Sequence, residues 1–170
     1  MNINNVINYE GLENIVINIV LELINNQDLL KCLYYNSSDA LTQTNLTDEI
    51  IYQMIDQEDL TNTKIYITPF PSNIIDEAKS ELRVYIRNFS PGNIRLSRII
   101  FDFAIIVHNN LWVLDGGKQR PLVIIQEILN SLNGKSVSGL GKLNLMDNTS
   151  IIKFSDNFSG YILPLQTWSD

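Results

Sequence analysis

The chain has 170 residues, 45% of them hydrophobic, and a formal net charge of −7. That length suits one ordinary domain with a real core. An acidic chain with no Lys/Arg cluster is a poor sequence-independent nucleic-acid binder, since that affinity comes from phosphate neutralisation. Cys32 is the one cysteine, so no disulfide framework forms within the chain, which fits a reducing compartment. The Asn-rich start lacks a basic n-region, so no secretory signal is expected. No apolar run reaches the roughly 20 residues of a membrane span. Asn and Ile are over-used, as AT-rich codons would produce in a low-GC organism or its phage. The Asn-x-Ser/Thr triplets at Asn36, Asn45, Asn88, Asn148 and Asn157 follow from that excess rather than from glycosylation.

Along the chain, Leu12, Ile15, Val16, Ile19, Leu23 and Ile24 fall at i, i+3, i+4 spacing with Glu13, Asn18 and Glu22 opposite. This predicts an amphipathic helix of about four turns. Asn25–Asn26 interrupts it, and Asp28 is the expected cap of a continuation through Leu29, Leu30, Leu33 and Tyr34. Ser37–Asp39 reads as a loop. Thr47 suits the N-cap of a helix bearing Ile50, Ile51, Met54 and Ile55. Asp48 and Glu49 lie in its first turn, and Leu46 and Ile51 stand at the spacing of a hydrophobic staple.

Strand signals follow. Lys64–Thr68 alternates and is ended by Pro69 and Pro71; Pro69–Ser80 reads as an excursion. Glu81–Asn88 alternates cleanly, with Leu82, Val84 and Ile86 on one face and Arg83, Tyr85 and Arg87 on the other. Ser90–Asn93 is a turn or hairpin tip. Between Ile94 and His108, Ile99, Phe101, Phe103, Ile105 and Val107 share one face. The second half is apolar on both faces, which predicts a central strand covered by helix. Pro121 suits the first position of a helix whose stripe is Ile125, Ile128, Leu129 and Leu132, and Asn133–Gly134 is a left-handed stop. Lys142–Met146, Ser150–Phe154 and Tyr161–Leu165 complete the strands, and Pro164 predicts that the last lies at an edge or bulge.

The order is helices, strands, one helix, strands, with short turns between strands. This predicts an α+β fold: a mostly antiparallel sheet, N-terminal helices, and one helix (about 120–132) packed on one face. Residues 1–170 read as a single domain, with a helical region over 1–60 and the sheet with its covering helix over 64–168.

No catalytic motif stands out. Gly134–Lys135–Ser136 resembles the end of a phosphate-binding loop, but the required first glycine is Leu129 and the segment follows a helix instead of a strand. Asp115–Gly116–Gly117 offers positive-φ positions for a tight turn. His108 is the only histidine and has neither metal-ligand partners nor a nucleophile motif; it reads as a strand-end residue bonded to loop backbone. Asp102 lies mid-strand among apolar neighbours and needs a partner, for which Arg83, Arg87, Arg95 and Arg98 are the candidates. Asp102 and His108 share a strand face about 20 Å apart, too far for a dyad. Trp112 is expected in the core and Trp168 at an interface. No metal or cofactor is expected.

The residues Phe101, Asp102, Phe103, His108, Trp112, Arg120, Ile124, Ile128, Leu132, Gly134, Gly141 and Gly160–Tyr161 form a longer pattern. A strand of the form I-x-F-x-I-x-x-H-x-x-L-W is followed by an Arg-led helix, a small-residue strand and a closing Gly-Tyr strand. From about Leu82 to Leu165 this resembles the tail-terminator and tail-completion proteins of long-tailed phages. The N-terminal helical region and the Pro69–Ser80 excursion are additions to that pattern. The resemblance implies a non-enzymatic virion protein of the neck. It would form a homo-oligomeric ring, a hexamer by expectation, around DNA that passes as cargo, with other neck and tail-tube proteins as partners and no membrane. Assembly would take place in the host cytoplasm. An acidic lumen would repel DNA rather than grip it. Subunit or partner contacts are expected on the hairpin around Arg83–Val107 and at the chain end, with Arg83, Tyr85, Arg87, Arg95 and Trp168 as interface candidates. The alternative reading is an acidic immunity or antitoxin-like protein that neutralises a basic toxin.

Overall fold

The computed structural model describes residues 9–69, 77–90, 97–137, 140–146 and 148–169. Four helices are present among them: α1 (Tyr9–Leu23), α2 (Gln27–Tyr34), α3 (Asp48–Ile55) and α4 (Arg120–Leu132). Six strands form one sheet: β1 (Ile65–Tyr66), β2 (Ser80–Ser90), β3 (Ser97–His108), β4 (Asn144–Leu145), β5 (Ser150–Lys153) and β6 (Phe158–Ser169). The order is β1-β2-β3-β6-β4, with β5 also on β6. All pairs are antiparallel except β1–β2. The fold is therefore α+β, with a mostly antiparallel sheet.

The period-2 pattern of β3 decides the layers. Ile99, Phe101, Phe103, Ile105 and Val107 point to the helices. They bury there with Leu82 and Val84 of β2, Leu163 and Leu165 of β6, and the apolar stripes of all four helices. The helical region and the sheet thus share one core. Fully burying each of Phe101 and Phe103 contributes about 1.5–3 kcal/mol. A bulge between Ile86 and Asn88 shifts the register of β2 on β3. The extra residue reverses the alternation, so Ile86 and Phe89 both pack on the core although they are three apart.

Two expectations need correction. The cap of α2 is Asn26, whose side chain accepts from the Leu29 N–H, and Asp28 lies inside the first turn. Asn26 also donates to the Glu127 carboxylate (3.0 Å) and the Ser131 hydroxyl (3.1 Å) of α4, so tertiary contact fixes the cap there. The second is Pro164, which lies on a strand flanked on both sides, opposite Asp102 of β3. Its carbonyl accepts from the Met146 N–H at 3.1 Å. Its ring nitrogen points the same way, into the gap between β4 and β5, where no ladder bond is lost.

Arg120 ties the layers together. It is fully buried, and its guanidinium donates to the carbonyls of Leu111 (2.8 Å), Cys32 (2.8 Å), Tyr35 (2.8 Å) and Ser37 (2.6 Å). Cys32, Tyr35 and Ser37 form the C-terminal end of α2 and its exit, where unpaired carbonyls and the negative end of the helix dipole collect. A five-donor planar fork suits several carbonyls at once. Burial lowers the Arg120 pKa. Burial also pushes the neighbouring Cys32 thiol up to about 11, against a smaller downward pull from Arg120.

Candidate interaction surface

The sheet face turned away from the helices carries the charged side chains of β2 and β3, with Gln166 and Trp168 of β6 beside them. On β2, Glu81 is buried between two cations. Its carboxylate accepts from Lys79 Nζ at 2.9 Å and from Arg83 Nε at 2.8 Å. Arg83 also donates to the Pro69 carbonyl at 2.9 Å, and Lys79 Nζ stands 5.7 Å from the Tyr66 ring centre. Next along the face, Arg87 Nε lies 2.9 Å from both carboxylate oxygens of the buried Asp102. Asp102 therefore takes Arg87 from the four arginines considered. Tyr85, directly across from Asp102, has its pKa raised by burial first and by the Asp102 carboxylate second. Ile100, Ala104, Ile106 and Phe158 are buried among these groups, apart from the helix-side core.

At the far end of β3, Arg98 pairs in register with Trp168 of β6. Its guanidinium donates to Gln166 Oε1 at 3.0 and 2.7 Å and stands 5.8 Å from the Trp168 ring centre. Trp168 is 49% exposed. Of the interface candidates, Arg83, Tyr85, Arg87 and Trp168 all belong to this face; Arg95 lies outside the described residues, as does most of the Ser90–Asn93 tip. The role of Arg98 was not legible in sequence, because it follows from the register of two strands seventy residues apart. Arg83 and Arg87 are each paired with a buried carboxylate, while Arg98 stands further along the face, in register with Ser90 of β2.

The other candidates take structural places. His108 Nδ1 accepts from the Asn110 N–H at 3.2 Å, and its ring meets Phe158 edge-on at 5.0 Å. Trp112 is half-buried against the core and tilted on Tyr161. Gly116 and Gly117 both have φ of 75°, as does Gly134, which ends α4. Among the described residues no cluster of His, Cys, Asp and Glu is placed to hold a metal, and no helix is long and apolar enough to cross a membrane.

The fold and this face define an α+β domain that presents an ion-paired, aromatic-edged sheet surface. A family model for YomW matches residues 26–167, and the chain belongs to the YomW family. No curated protein matches it significantly.

Proposed function

We propose that this protein is a structural component of the phage neck, a tail-terminator or head–tail joining protein that assembles into a ring around the DNA channel. The observation that carries the reading is the outer sheet face. Its buried carboxylates, Glu81 and Asp102, are spent on pairing Lys79, Arg83 and Arg87, and what reaches solvent is a rigid surface edged by Arg98 and Trp168. Such a surface suits protein contacts, where Arg and Trp anchors carry much of the binding energy. The resemblance of Leu82–Leu165 to tail-terminator and tail-completion proteins supports the same reading. In this reading the partners are further copies of the chain, in a ring expected to be a hexamer, and the neck and tail-tube proteins above and below. DNA passes as cargo, and the site of action is the virion after assembly in the host cytoplasm.

Negative-stain imaging of the purified protein tests the reading, together with co-sedimentation with tail tubes. Rings with an axial hole and tube-end binding are the expected result. A particle that forms no ring and ignores tubes would remove it.

The second reading, an acidic immunity-type protein, draws on the surface of α3. Asp48 and Glu49 are exposed there beside a 66% exposed Tyr52, a surface that could receive a basic toxin. Co-purification with the product of an adjacent toxin gene would favour it.

A further inference from the structure

Charge is unevenly divided in this chain. Lys79, Arg83, Arg87, Arg95 and Arg98 stand against Glu81 and Asp102 in residues 79–108, a net of +3 (five cations, two carboxylates). The chain as a whole is −7, so the remaining residues carry −10. Between Lys31 and Lys64 there is no Lys, Arg or His, while Asp48, Glu49, Asp56, Glu58 and Asp59 all occur there and are exposed. One molecule therefore carries two complementary surfaces.

Each surface also holds an aromatic anchor. On the basic side, Arg98 faces no carboxylate within ion-pair distance among the described residues. Gln166 and the exposed Trp168 ring hold its guanidinium in place, so little side-chain freedom remains to be lost on binding. On the acidic side, Asp48 and Tyr52 are four apart on α3 and share its outer stripe. Tyr52 is the more exposed of the two anchors, at 66% against 49% for Trp168.

The two surfaces are separated within one copy. The chain leaving α3 enters β1, and β1 pairs with β2 at Leu82–Arg83, opposite Ile105 and Ala104 of β3. Arg98 lies six to seven residues away along β3, about 20 Å. Two different, complementary patches on one chain produce a head-to-tail contact, which either closes into a ring or continues as a filament.

We propose that copies of this chain join head to tail, the Arg98–Trp168 corner of one docking on the acidic Asp48–Glu49–Tyr52 surface of the next. The inference rests on the ring reading and supplies its subunit interface. Desolvation of the Arg98 guanidinium against carboxylates sets the orientation, and Trp168 and Tyr52 supply the apolar contact.

The test is sedimentation velocity on the full chain and on two double variants, Arg98→Ala/Trp168→Ala and Asp48→Lys/Glu49→Lys, with circular dichroism to establish that each folds. The wild type is expected to associate beyond a dimer and to weaken in high salt. Each double variant alone should lose association by about 30-fold or more. An equimolar mixture of the two has one competent contact per pair and should give dimers and nothing larger. If both folded variants assemble like wild type, the interface is wrong while the ring reading stands. If the wild type stays monomeric at high concentration, both fail. If it assembles only when a short DNA duplex is added, the corner is a phosphate contact and the inference is overturned.

Discussion

Arg120 is the residue whose loss should cost most. Its four carbonyl partners belong to the exit of α2 and to the segment after β3, so a methionine there leaves buried acceptors unpaired at the junction of two layers. Arg120→Met should lower the unfolding free energy by about 3–5 kcal/mol, read as a shift in the urea midpoint. Arg120→Lys should rescue little, because a point charge cannot span four carbonyls. The neighbouring thiol gives a pH signature. Cys32 is held at about 11 when folded, against a reference of 9.0, so the folded chain keeps a proton that the unfolded chain releases. Its contribution to stability is complete below about pH 9 and is lost as pH rises towards 11. The stability difference between wild type and Cys32→Ala should therefore shrink over that interval in urea titrations at stepped pH, and a constant difference would refute the buried-thiol assignment. Asp102 offers a third check. Arg87 is 45% exposed at its side chain while Asp102 is 6%. Arg87→Ala should thus cost about 1–3 kcal/mol in thermal or urea unfolding, by leaving a buried carboxylate without its main donor.

At the scale of elements, the β3–β6 pair is the structural axis, and Gly160 lies in it where no side chain has room. A Cβ there would sit far inside van der Waals contact distance of the Ile105 carbonyl oxygen, which is backbone and cannot step aside. Gly160→Ala should prevent the native pairing, seen as loss of cooperative unfolding or of soluble protein. Glycine at 160 is what the Gly-Tyr strand of the sequence pattern is for. Much else of the fold was legible in the same way: β3 from its alternating aromatic and branched residues, α4 from Pro121 and its stripe, α3 from Thr47. What was hidden depended on contacts distant in sequence. Asn26 and Asp28 are equally good caps by type, and α4 chooses between them through Glu127 and Ser131. Pro164 marks an edge by rule, but the break between β4 and β5 creates a proline-tolerant place inside the sheet. The candidate surface was half legible. Alternation placed Arg83, Tyr85 and Arg87 together, whereas the Arg98–Trp168 corner required the β3–β6 register, and the bulge that turns Phe89 inward left no signal in β2.

For the whole molecule, one core under four helices leaves the opposite sheet face as a stiff platform, with positive charge concentrated in the hairpin and negative charge elsewhere. An acidic chain with such a separation repels DNA on average, and under the proposed interface its copies would join in one relative orientation. These properties fit a ring that surrounds DNA without holding it. The most direct test is the native mass of the wild-type chain at low salt, measured by mass spectrometry or sedimentation equilibrium across a concentration series. The account predicts a closed oligomer of fixed size, larger than a dimer, that dissociates as salt is raised. A monomer at every concentration, or a dimer that salt does not affect, would contradict it.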